Sequence, residues 1–75
     1  MIRKFYRFPS PYDVAYFLYG VSQFTNCEHS TIWNDCRVAY VESERESDIR
    51  FADSMAREAH GKEIPPAEAE GKAMK

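Results

Sequence analysis

DCRVAYVESERESDIRFADSMAREAHGKEI, residues Asp35 to Ile64, reads as one strand feeding directly into one helix. Side chains alternate across a strand, so Val38 and Tyr40 fall on one face and Arg37, Ala39 and Val41 on the other. Ser43 stands three residues before Glu46, the spacing at which a hydroxyl and a returning carboxylate each satisfy a free backbone N–H at a helix start. Ile49, Ala52, Met55, Ala56 and Ala59 then recur at helical spacing as one apolar stripe. Gly61, after His60, supplies the stop, because glycine accepts the left-handed turn that closes many helices. Glu46 with Arg50, and Asp53 with Arg57, lie four apart in the favourable order.

Towards the N-terminus the pattern repeats in a second form. Ile2 to Phe8 has strand propensity and ends at Pro9; its basic residues suit an edge strand, where charge discourages stray pairing. Ser10 is placed as an N-cap, with Pro11 at the first helical position and Asp13 near the positive end of the dipole. A first helix is expected from Pro11 to about Thr25. Asn26 to Ser30 is polar and reads as a connection. Thr31 to Trp33 and Cys36 to Glu42 flank Asn34-Asp35, a pair that accepts positive φ and suits a tight hairpin, with the first arm extending back towards Glu28. An uninterrupted strand through Asn34-Asp35 is the rival reading.

The order is therefore β-α-β-β-α. A right-handed crossover followed by a hairpin return puts the third strand between the first and second, with both helices on one face. The expected fold is an α+β open-faced sandwich, a three-stranded antiparallel-type sheet with two helices, in effect an incomplete ferredoxin-like arrangement. Residues 1–62 form the single folding unit. Residues 63–75, with two prolines and little large apolar content, are expected to be a flexible C-terminal tail.

Composition narrows the function classes. Charged residues make up 29 % of the 75-residue chain and the net charge is −2, whereas a dedicated nucleic-acid binder is usually basic. Arg3, Lys4 and Arg7 cluster at the start, and Glu42, Glu44, Glu46 and Asp48 in mid-chain; the acidic group reads as a solvated helix start. Two cysteines are too few for a disulfide framework and fit a reducing compartment. The apolar run from Val14 to Val21 is too short to span a membrane, and Pro9, Pro11 and Asp13 spoil a signal-peptide pattern. A cytoplasmic location without membrane contact is the expectation.

The first helix carries the least ordinary feature. On a wheel, Val14, Phe17, Leu18, Val21 and Phe24 fall on one arc, the expected core face. Tyr12, Tyr16 and Tyr19 fall together on the opposite side with Gln23, where a soluble helix normally carries charge. Tyrosine offers stiff, amphipathic contact area and concentrates at binding hot spots. Phe51, on the second helix, also lies off its core arc. The rival reading is that the tail or the second helix covers these rings.

No catalytic or metal pattern stands out. Cys27, Glu28, His29, Asp35 and Cys36 are ligand types without the paired short spacings of a zinc site. A Cys–His pair needs an orienting group and an oxyanion site, and His60 suits the negative end of a helix dipole. Neither an enzyme nor a cofactor is expected.

Ala39-Tyr40-Val41-Glu42, followed by a helix ending His60-Gly61-Lys62-Glu63-Ile64, resembles the second half of an RNA recognition motif. In that family the third strand carries a small residue, an aromatic, a valine and a variable position in this order. The family's two stacking aromatics correspond here to Val38 and Tyr40. Its glycine falls on Arg37 and its buried aromatic on Ser43, both departures, and the final strand is not expected because Pro65-Pro66 follows Ile64. Lys4-Phe5-Tyr6-Arg7 is a loose counterpart of the family's other motif. The resemblance implies a single-stranded nucleic-acid surface on the open sheet face, built from Lys4, Tyr6, Arg7, Trp33 and Tyr40. The residues themselves favour a non-enzymatic protein-binding module using Tyr12, Tyr16, Tyr19 and Phe51. A small stand-alone inhibitor or adaptor, of the kind phages and mobile elements carry, fits this size and charge. A homodimer through an open edge of the first strand is a further expectation.

Overall fold

The computed structural model describes residues 1–32 and 35–73. Trp33 and Asn34, and with them part of the expected hairpin turn, lie outside the described residues. The elements follow in the order β1 (Ile2–Arg7), α1 (Pro11–Phe24), β2 (Glu28–Ile32), β3 (Asp35–Ser43), α2 (Glu46–Glu58), β4 (Lys62–Ile64) and α3 (Pro66–Ala73). One sheet has the strand order β2-β3-β1-β4, with all neighbours antiparallel. The third strand lies between the first two, as the connections predict. The α+β class holds, but the sheet has four strands instead of three. The expected tail contributes the fourth strand and an additional helix.

Lys62–Ile64 pairs with Arg7, Tyr6 and Phe5 of β1. The strand stops there because Pro65 and Pro66 have no N–H to donate, and proline at the first helical position opens α3 instead. Two prolines that read as the mark of an unstructured tail therefore act as a strand stop and a helix start.

Alternation along β1 and β3 separates two apolar layers. Tyr6, Phe8, Ala39 and Val41 face α1 and α2 and join Val14, Phe17, Val21, Ile49, Ala52, Ala56 and Ala59 in the main core. Phe5 and Val38 face the other way and pack with Ile64 of β4 and Ala69 of α3. The second face of the sheet is thus partly roofed by α3, not open.

Two local signals resolve differently from their reading. Ser10 does cap α1, its Oγ accepting from Asp13 N at 3.3 Å. Ser43, however, remains in β3; its Oγ accepts from Arg45 N at 3.0 Å and donates to Asp48 Oδ2 at 3.3 Å, and Arg45 holds the cap position of α2. At the other end of α2 His60, not Gly61, adopts the left-handed conformation, with φ of 66°. His60 N donates to Arg57 O and Gly61 N to Ala56 O, a Schellman closure. Gly61 is small for another reason: a Cβ there would lie 2.8 Å from Phe8 Cδ2. The expected pairs Glu46–Arg50 and Asp53–Arg57 form at 3.4 and 3.1 Å.

Candidate functional site

α1 presents its tyrosines outward. Val14, Phe17, Gly20 and Val21 are buried, turning the opposite arc to solvent. Tyr12, Tyr16 and Tyr19 are 86, 51 and 67 % exposed, so neither α2 nor α3 covers them. Asp13 is the single charged residue of the helix, so Ala15, Ser22 and Gln23, which share the exposed arc, add no charge to it. A solvent-facing arc of that composition is unusual in a chain where charge is otherwise abundant.

Phe24 departs from its expected place on the core arc and is 72 % exposed. Phe24 stands at the margin of that arc, next to the Gly20 side that meets α2, while Val21 in the same turn stays buried in the core. Phe24 instead meets half-buried Phe51 of α2, with ring centroids 5.7 Å apart. Phe24 is therefore the residue of this surface that the wheel missed, and only the packing of α1 on α2 reveals it. Tyr16, Gly20 and Phe24 lie on one i, i+4, i+8 ridge, and Gly20 abuts Met55 of α2, where a Cβ would be 2.7 Å from its Cε. The ridge follows the seam between α1 and α2, from the tyrosines to the Phe24–Phe51 pair.

The proposed nucleic-acid residues do not converge. Tyr6 is 1 % exposed on the helix side of the sheet, edge-on to Phe17 at 5.4 Å, with its hydroxyl donating to Asp53 Oδ1 at 3.4 Å. Burial, then the neighbouring Asp53 carboxylate, raises its phenol well above the ordinary tyrosine pKa. Lys4 alternates with Phe5 onto the same side as Tyr6 and pairs with Glu63 at 3.5 Å. Tyr40 and Arg7 do lie on the other face. There Tyr40 packs on Phe5, with Arg3 5.6 Å over its ring, and Arg7 meets Glu68 of α3 at 3.2 Å. Val38, the second stacking position of the resemblance, is fully buried in the layer that includes Ala69 of α3. Phe5, not Tyr6, is the β1 aromatic on that face. Two adjacent aromatics on a strand point opposite ways, and the sequence alone does not say which is which. Trp33 is not among the described residues.

Cys27 is buried and Cys36 exposed, with His29 Nδ1 3.0 Å from the Cys27 carbonyl. Among the described residues no group of three or more His, Cys, Asp or Glu side chains could hold a metal ion. No described helix is long and apolar enough to cross a membrane. The chain matches no family model, no curated protein and no solved structure. The functional reading therefore rests on the surface itself.

Proposed function

We propose that this protein is a non-enzymatic protein-binding module, an inhibitor or adaptor that docks on a larger protein through the tyrosine face of α1. The observation that supports the reading most is the joint exposure of Tyr12, Tyr16 and Tyr19 on an arc without charge. Interface centres are depleted of charge and enriched in tyrosine, whose ring contributes area at little conformational cost. Phe24 and Phe51 extend the same surface towards α2.

The test is affinity capture from the source cell's lysate, with and without nuclease, comparing the wild type with a Tyr16→Ala, Tyr19→Ala double variant. Circular dichroism of both proteins controls for folding. The expected outcome is a protein partner that survives nuclease and is lost with the double variant, while the fold is retained. Capture unchanged by the double substitution, or a partner set that vanishes with nuclease, would overturn the reading.

A further inference from the structure

The outer line of α1 is Tyr12, Tyr16, Tyr19 and Gln23, at spacings of four, three and four residues, and all of them are exposed. Alternating steps of four and three keep side chains on the seam where one helix crosses another at a shallow angle. This series also reads the same from either end. A second α1 laid antiparallel therefore meets the first position for position, about a two-fold axis midway between Tyr16 and Tyr19. Each Tyr16 then faces Tyr19 of the second copy, and each Tyr12 faces Gln23, whose amide can donate to or accept from the phenol. Exposed Ala15 and Ser22 beside the seam leave room for the opposing rings. A two-fold contact sets a face against itself, so any charge on it meets its like. The seam carries none: Asp13, the one charge of α1, accepts from Ser10 Oγ at 2.9 Å and lies 3.9 Å from His60. The first strand does not offer the edge expected for a homodimer, because β1 lies between β3 and β4.

We infer that two copies of this protein pair through this seam, α1 against α1 antiparallel, each covering the other's tyrosine face until a larger partner displaces it. The inference rests on the tyrosine face being a contact surface, as proposed above, and adds self-association as the regulation of that surface. At 86, 51 and 67 % exposure and about 200 Å² per ring, the three tyrosines offer about 400 Å² on each copy. With Ala15, Ser22 and Gln23 included, two such faces bury about 1,000 Å² in total. That is the size of a weak, reversible contact, not of a permanent dimer, so a partner that buries more area competes for the same face.

Sedimentation equilibrium of the purified protein, from about 1 µM to about 1 mM, tests the inference. The expected result is a reversible monomer–dimer equilibrium, half-associated near about 0.1 mM. It should change little between low and high salt, since no charge lies on the seam. Two double variants test the geometry: Tyr16→Lys with Tyr19→Lys, and Tyr16→Glu with Tyr19→Glu, with circular dichroism as the folding control. Each alone sets like charges across the two-fold axis and is expected to associate at least about tenfold more weakly. Mixed in equal amounts, they place lysine opposite glutamate at both central positions, and association returns. A chain that stays monomeric to about 1 mM would overturn the inference. So would a dimer indifferent to either variant, or folded variants whose mixture fails to associate. A captured larger protein with a monomeric free chain removes this inference alone, whereas a dimer with no captured partner removes only the proposed function.

Discussion

At Tyr6, Gly61 and His60 the neighbours, not the residue types, decide the outcome. Tyr6 keeps its proton in the folded state, because burial and the Asp53 carboxylate both disfavour a phenolate there. A folded pKa above the unfolded one means stability that is whole below about pH 10 and falls as pH rises beyond it, where the unfolded chain ionises first. Tyr6→Phe is expected to cost about 0.5–1.5 kcal/mol near neutrality, the net value of one hydrogen bond. It should also flatten the alkaline loss, and urea titrations at neutral and alkaline pH check both points. Gly61→Ala pushes a methyl into the buried Phe8 ring and is expected to destabilise by about 1–3 kcal/mol. His60→Gly relieves a left-handed non-glycine residue and should raise the thermal midpoint, by less than the 1–2 kcal/mol of the strain since glycine adds unfolded-state freedom. The sequence pattern points to Gly61 as the turn residue because glycine is the usual left-handed residue at a helix end. Gly61 is instead one position further on, where contact with Phe8 selects against any side chain.

Among the elements, α3 is held by few of its described side chains. Ala69 is its one described side chain in the apolar layer, and the Arg7–Glu68 pair, 33 and 48 % exposed, contributes about 0–1 kcal/mol at most. Ala69→Asp puts a carboxylate into that apolar layer, so α3 is expected to detach while β1–β4, α1 and α2 persist. Hydrogen exchange is the direct readout: protection lost over 66–73 alone matches this expectation, whereas loss across β1 and β3 would make α3 integral to the fold. Neither α3 nor β4 stood out in the sequence, since three strand residues and a helix rich in Ala and Glu carry little periodic signal. α1 was legible for the opposite reason. Its cap, its proline and its apolar arc agree with one another, and the tyrosines stand out against that agreement.

For the molecule as a whole, the chain's first and last strands are neighbours, and the two apolar layers lie on opposite sides of one four-stranded sheet. None of the three tyrosines belongs to either layer, so Tyr16→Ala with Tyr19→Ala should change global stability by no more than about 0.5 kcal/mol per site. A cooperative thermal melt close to the wild type's checks this, and a large drop would place the stripe in the core. By itself the sequence determined the α+β class, the first five elements in order, the central place of β3, and the shared face of Tyr12, Tyr16 and Tyr19. Those follow from periodicity, caps and connection rules, which act over a few residues at a time. Only the tertiary structure decided which of Phe5 and Tyr6 faces the helices, that Phe24 leaves the core for Phe51, and that residues 62–73 return to complete and roof the sheet. Each of those depends on a contact between distant parts of the chain. Strand alternation leaves two faces equivalent until something packs on one of them, and here the packing partners are α1, α2 and α3.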